Sequence, residues 1–107
     1  MQLDIIFREN LYLGKSIHPG KVDKIKKRLV SKPMLSGVFV IALSKNSSDQ
    51  LELFDAKQLQ QSYYQKNPPY VVGIAKDKSE AVSIVQQIVE ECLQARGDCA
   101  LKEYLQC

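Results

Sequence analysis

Apolar residues recur at spacings of three and four over the last third of the chain, which is the pattern of an amphipathic helix. Asp77 and Glu80, three residues apart, resemble a capping box, in which each side chain satisfies a free backbone donor at a helix start. Gly97 supplies the left-handed residue that commonly ends a helix. The pattern predicts a helix from this cap to Arg96 with one buried face, formed by Ala81, Val82, Ile84, Val85, Ile88, Val89, Cys92 and Leu93.

Two short segments, 37–43 and 70–75, are apolar at almost every position and predict strands without a polar face. Strands that are apolar on both faces belong to sheets that are covered on both sides. Gly73, inside the second strand, indicates close approach of another backbone, either a packed helix or a ligand. Regular alternation places Val71, Gly73 and Ala75 on one face of that strand and Tyr70, Val72 and Ile74 on the other.

Shorter patterns complete the order of elements. Alternating apolar residues predict a first strand over 2–8, extended by 11–13 after a turn, and a short edge strand over 51–54. A helix is predicted from Pro19 until Pro33 ends it. A second, short helix begins after Asp55 and a last one after Asp98, since both residues favour the N-cap position.

The resulting order, β-α-β-β-α-β-α with a small terminal helix, predicts a single α/β domain over residues 1–107 with a four-stranded mixed sheet. A three-layer sandwich has helices on both faces of the sheet. The alternative is a ferredoxin-like α+β fold, whose open sheet face would be covered by the C-terminal helix or by a second subunit. The ferredoxin-like order would place 37–43 and 70–75 at the edges, although they are the most apolar strands, and this favours the sandwich.

Composition narrows the class of protein. The chain of 107 residues has 45% hydrophobic and 25% charged residues, an ordinary globular composition. Its longest apolar run, Val38 to Leu43, is far short of the roughly 18 residues that span a bilayer. Acidic and basic residues near the N-terminus do not fit a secretory signal. We therefore expect a cytoplasmic protein that does not associate with membranes.

Charge is concentrated in the first part of the chain. Residues 1–45 hold nine Lys or Arg against three acidic residues, whereas the remainder holds six against nine. At about 100° per residue the cations of the predicted 19–33 helix align beside its apolar stripe. A solvated helix face is the simpler interpretation, but this geometry also suits an acidic protein or a nucleic acid. We call this set the basic face: Lys21, Lys24, Lys27, Arg28 and Lys32.

The turn at 76–80 is a second candidate site. Backbone donors at a helix start, together with lysines and a hydroxyl, can hold a phosphate or carboxylate group. The chain has neither Gly-x-Gly-x-x-Gly nor Gly-x-x-x-x-Gly-Lys-Ser, and Asp77 and Glu80 would repel an anion. A well-capped helix start explains the turn equally. The residues of this candidate anion site are Gly73, Lys76, Lys78 and Ser79.

Catalytic and metal chemistry have little support in the sequence. His18 is the single histidine, so a His-based metal site or proton relay cannot use a second imidazole. The three cysteines lie in the last sixteen residues without a Cys-x-x-Cys pair, so they predict neither a metal site nor a disulfide framework. We therefore predict no catalytic residue, no metal ligand and no cofactor.

Two hypotheses follow. The first is a small non-catalytic interaction module that contacts an acidic protein or nucleic acid through the basic face, and that also associates with a second copy of itself. The second is a binding protein, or a modest enzyme, for a small anionic ligand such as a phosphate or nucleotide at the 76–80 turn. Fold alone does not decide between them, because one fold hosts many functions.

Overall fold

The computed structural model describes residues 4–31, 37–45 and 49–106. Two 3₁₀ helices, Pro19–Lys21 and Ala56–Gln60, precede the first and second α-helices. The strands and α-helices, in chain order, are β1 (Ile6–Leu13), α1 (Val22–Ser31), β2 (Phe39–Leu43), β3 (Leu51–Asp55), α2 (Ser62–Lys66), β4 (Tyr70–Ala75), α3 (Lys78–Arg96) and α4 (Leu101–Gln106).

The four strands form one mixed sheet in the order β1-β4-β2-β3. β1 is parallel to β4, whereas β2 is antiparallel to both β4 and β3. The two most apolar strands, β2 and β4, are therefore the central pair, as burial of both their faces requires. The predicted α/β fold with a four-stranded mixed sheet is confirmed. The ferredoxin-like alternative does not fit this order, because it would place those two strands at the edges.

A β-bulge changes which residues of β4 share a face. Ile41 pairs with Gly73, but the next residue of β2, Ala42, pairs with Val71, so Val72 is an extra residue in β4. The predicted strict alternation is therefore wrong. Val71 and Ile74 belong to one cluster of buried side chains, and Tyr70, Val72 and Ala75 pack in the other.

β1 is also irregular. Phe7 pairs with Val71 and Tyr12 pairs with Gly73, so residues 8–11 of β1 lie opposite a single residue of β4. The predicted extension of the first strand over 11–13 is therefore confirmed, but the turn predicted at residues 9 and 10 is wrong, since both residues belong to the strand. The part of the prediction that covers residues 2 and 3 lies outside the described residues.

The core consists of two clusters, one on each face of the sheet. The alternating residues of β2 divide between them, with Val40 and Ala42 in the first cluster and Ile41 and Leu43 in the second. The first cluster is completed by Leu29 of α1, by Phe54 and by side chains of the second 3₁₀ helix and α2. The second is completed by side chains of α3 and α4. Helices therefore cover both faces of the sheet.

α3 begins after the predicted cap, Asp77, and ends at the predicted glycine, Gly97. The Asp77 carboxylate accepts a hydrogen bond from the Glu80 backbone N–H at 3.0 Å. Gly97, with a φ of 77°, adopts the left-handed conformation, and its N–H donates to the Leu93 carbonyl at 2.8 Å. Asp55 also caps a helix as predicted, but it begins the 3₁₀ helix and not an α-helix. The predicted end of the first helix at Pro33 lies outside the described residues.

None of the helices within the described ranges combines the length and the apolar character that crossing a bilayer requires.

Candidate functional site

α1 presents the basic face beside its buried side. Val22, Ile25 and Leu29 pack against the first core cluster, and Leu29 is fully buried. The described residues of the basic face, Lys21, Lys24, Lys27 and Arg28, are all exposed. Lys32 lies outside the described residues. Since an α-helix rises about 1.5 Å per residue, the cations from Lys21 to Arg28 extend over roughly 10 Å along α1 and the turn before it.

The charge of this surface is not neutralised within the described part of the chain. Asp23 is the only acidic residue among residues 19–31, which also contain five Lys or Arg. None of the exposed cations of the basic face forms an ion pair with a described acidic side chain. By contrast, Arg96 pairs with Asp98 at 3.1 Å and with Glu103 at 2.8 Å near the end of α3. The described cations of the basic face are thus exposed without a described acidic partner.

A groove of about 420 Å³ adjoins the basic face, between α1 and β1. Its walls include the apolar side chains of Phe7 and Val30, with Lys26 and Lys27 beside them. The Lys26 ammonium lies 5.5 Å from the centre of the Phe7 ring, a cation-π distance. One surface therefore combines apolar contact area with ammonium groups.

The 76–80 turn brings Lys76, Lys78 and Ser79 together, and all three side chains are exposed. Gly73 is separate from them, because it is buried within the sheet. A side chain on Gly73 would meet the backbone oxygen of Tyr12 at 3.1 Å, so the close approach predicted there is that of the neighbouring strand.

The Glu80 carboxylate occupies one backbone donor of this turn. Its Oε1 accepts a hydrogen bond from the Lys76 backbone N–H at 3.0 Å. Hydrogen bonds from the Ser16 hydroxyl, and then from Lys76, hold the pKa of the Glu80 carboxyl below its ordinary value. Gly14 makes room for this carboxylate, since a side chain at position 14 would collide with Oε1. An anionic ligand at the turn would have to displace Glu80 or bind beside it.

A crevice lies next to that carboxylate. α1 follows β1 and α3 follows the parallel strand β4, and these two helices lie on opposite faces of the sheet. Ligands commonly bind at the carboxyl ends of two such strands, where their connections leave towards opposite faces. The crevice has a volume of about 240 Å³. It is lined by the end of β1 and the first turns of α3, including Gly14, Lys15, Glu80, Ser83 and Gln87.

A polar network joins β1, α3 and α4 in a way that sequence spacing did not reveal. Glu91 accepts hydrogen bonds from the Tyr12 hydroxyl at 2.7 Å, the Tyr104 hydroxyl at 3.3 Å and the Gln87 amide at 2.9 Å. Arg8 lies 5.4 Å from the centre of the Tyr12 ring and donates to the Leu105 carbonyl at 3.1 Å.

The pKa shifts within this network point away from acid-base catalysis. Burial, followed by the bond to Glu91, raises the pKa of the Tyr12 hydroxyl well above its ordinary value. The bonds from Tyr12 and Gln87 lower the pKa of the Glu91 carboxyl. A catalytic acid or base works best with a pKa near the operating pH, and both shifts lead away from neutrality. The network therefore fastens α4 and the irregular part of β1 to α3.

The remaining chemical groups are not assembled into a site in the described residues. The His18 Nδ1 accepts a hydrogen bond from the Gly20 backbone N–H at 3.0 Å. Cys92 is fully buried, and burial raises the pKa of its thiol. Within the described ranges, no three His, Cys, Asp or Glu side chains are grouped so that they could hold a metal ion.

Comparison with protein-family models, with curated proteins and with solved structures finds no match to this chain.

Proposed function

We propose that this protein is a non-catalytic interaction module that binds an acidic partner through the basic face of α1. The observation that carries the proposal is the set of exposed cations, Lys21, Lys24, Lys27 and Arg28, without acidic partners among the described residues. Single exposed ion pairs contribute only about 0 to 1 kcal/mol each, so useful affinity requires a partner that engages several of them together. A multivalent anion meets that requirement.

The groove beside the basic face favours an acidic protein over a nucleic acid. Single-stranded nucleic acids usually stack their bases on aromatic rings. The aromatic ring beside α1 is Phe7, and the Lys26 ammonium already contacts it. In a protein partner, an apolar side chain would fit between Phe7 and Val30. The carboxylates of acidic residues just before it in the partner's sequence would then reach the basic face.

The free thiols of Cys92 and Cys99 suit the reducing cytoplasm, where we place this interaction.

Charge reversal on α1 tests this function. A protein carrying Lys24→Glu and Arg28→Glu is expected to bind a labelled polyglutamate peptide about 100-fold more weakly than the wild type, because two attractive contacts become repulsive. Affinity of the wild type should also fall steeply as salt screens the contacts. Fluorescence anisotropy over a range of salt concentrations measures both effects.

The matched control reverses Lys57 and Lys66, two exposed lysines outside α1, and so changes net charge equally. This control should bind nearly as well as the wild type. Equal losses in the two double variants would show that only total charge matters and would contradict the assignment to α1. Parallel titrations with single-stranded and duplex DNA distinguish the partner classes, since tighter, steeply salt-dependent binding to DNA would identify a nucleic acid.

The crevice beside the 76–80 turn supports a second candidate function, the binding of a small anionic ligand. Its position where the connections of β1 and β4 diverge is the specific observation in favour. Lys15 lines the crevice, and Lys76 and Lys78 are close in sequence to its wall at Glu80. Their ammonium groups would offset the Glu80 carboxylate.

A thermal-shift screen tests this second function. If the site exists, inorganic phosphate, a nucleotide or a sugar phosphate should raise the melting temperature by several degrees at ligand concentrations about 100-fold above Kd. Lys76→Ala and Lys78→Ala should reduce that rise, whereas Lys66→Ala, on α2, should leave it unchanged. A screen in which no compound stabilises the protein would contradict ligand binding. A rise that survives both substitutions at the turn would place the ligand elsewhere.

A further inference from the structure

The two edges of the sheet differ in their capacity to pair with another strand. At one edge, the pairing of β1 with β4 shifts its register between Phe7 and Tyr12, an irregularity of the kind that commonly protects edge strands. At the other edge, β3 pairs with β2 over all five of its residues, Leu51 to Asp55, without a register shift. Among the described residues β2 is the only strand that pairs with β3. The outer side of β3 is therefore a regular edge, free of prolines and bulges.

The sheet face that carries α3 is incompletely covered near this edge. Phe54, which points to the other face, is only 3% exposed, whereas Leu51 and Leu53 are half-buried. α1, α2 and the second 3₁₀ helix contribute to the cluster around Phe54. On the face of Leu51 and Leu53 the cover is α3 with the short α4. Two apolar side chains of β3 thus retain surface that this chain does not bury.

α3 carries a second apolar stripe beside its buried one. Val82, Val85, Val89 and Leu93 follow each other at spacings of three and four and so share one side of the helix. Val82 is 41% and Leu93 is 45% exposed, and Val85 and Val89 are half-buried. Val85 and Val89 pack against the same cluster as Leu51 and Leu53. The apolar surface therefore runs from the flank of α3 towards the edge strand.

We propose that a second copy of this chain occupies this surface, with β3 paired antiparallel to β3 of the copy about a two-fold axis. A pairing centred on Leu53 sets Glu52 opposite Phe54 and Leu51 opposite Asp55, so no like charges face each other. A pairing centred on Glu52 would oppose two carboxylates. The same rotation brings the exposed stripes of the two α3 helices towards each other, as a self-complementary interface requires.

The absence of charge on the patch is the reason for choosing a copy over the acidic partner. The side chains of Leu51, Leu53 and the α3 stripe cannot attract a carboxylate, and the same apolar residues of a second copy cover them without burying an unpaired charge. α1 contributes to the cluster on the opposite sheet face, so its cations do not repel each other at this interface. Sheet extension of this kind buries the open edge and the apolar stripe in a single contact.

Sedimentation equilibrium on the full chain, from about 1 µM to about 500 µM, tests this pairing. We expect the wild type to reach twice the chain mass of 12.1 kDa. Leu53→Lys places two ammonium groups together at the two-fold axis, and Val82→Glu places a carboxylate in the exposed α3 stripe of each copy. Each should weaken the dimer at least about 100-fold. Ile6→Lys, at the 60% exposed Ile6 of the other edge strand, is the matched control and should leave the dimer intact.

Circular dichroism identifies variants that fail to fold. If the Leu53→Lys protein does not fold, Val82→Glu, at an exposed helix position, still tests the pairing. A wild type that stays monomeric over the whole range would overturn the pairing. So would a folded Val82→Glu protein that dimerises as the wild type does, or an Ile6→Lys substitution that dissociates the dimer.

Discussion

Replacing Ile88 by alanine is expected to lower the free energy of unfolding by about 2 to 5 kcal/mol, the usual cost of removing a large aliphatic side chain from a core. Ile88 is fully buried in the middle of α3, in the cluster between that helix and the sheet. Its neighbours belong to a helix and to strands that are held in place by their pairing within the sheet. The cavity would therefore be filled only in part, and the loss should lie well above that of a surface substitution.

Urea unfolding of the wild type and of Ile88→Ala measures this difference. Gln94→Ala, at an exposed position of the same helix, is the control and should change the free energy of unfolding by less than about 0.5 kcal/mol. An Ile88→Ala protein as stable as the Gln94→Ala protein would mean that α3 does not bury this side against the sheet. The conclusion that helices cover both faces of β4 would then be wrong.

Replacing Gly73 by valine is the second substitution with a large expected effect, because it adds volume where β1 lies close against β4. Even the first added carbon would lie 3.1 Å from the Tyr12 backbone oxygen and 3.3 Å from the Ile41 side chain. The two valine methyl groups extend further, so β1 must move away from β4. Overpacking of this kind costs about 1 to 3 kcal/mol.

Gly73→Ala provides a graded comparison, since its single added carbon requires movements of only a few tenths of an ångström. Urea unfolding should rank the wild type above Gly73→Ala and Gly73→Ala above Gly73→Val. Displacement of Tyr12 should also weaken its hydrogen bond to Glu91, which near-ultraviolet circular dichroism of the tyrosines can follow. If the valine variant matched the wild type in stability, Tyr12 could not lie as close to Gly73 as described.

Features set by local chemistry could be predicted from the sequence. Asp77 and Gly97 act on backbone groups within a few residues, so the ends of α3 followed from the sequence without knowledge of the rest of the fold. The covering of β2 and β4 on both sides followed from their apolar residues on both faces, because such strands are not left open to solvent. The exposure of Lys24 and Arg28 beside the buried Leu29 followed from helical periodicity in the same way.

Features that depend on distant partners could not be predicted. The extra residue Val72 in β4 has no local signature, and it reverses the faces that regular alternation assigns to the residues beyond it. Tyr12 and Glu91 are 79 positions apart, so spacing could not connect them. For the 76–80 turn, the sequence indicated a capping role for Glu80, but its bond with Ser16 depends on how β1 lies against α3.

The central claim, that α1 is the contact surface for an acidic partner, is tested most directly by mapping where a polyanion binds. Nitrogen-15-labelled protein is titrated with a polyglutamate peptide, and amide chemical shifts are followed residue by residue. We expect the largest changes at residues 21–31 and in Phe7, with little change at residues 76–83. Changes centred on residues 76–83, or spread evenly over all exposed lysines, would contradict the claim.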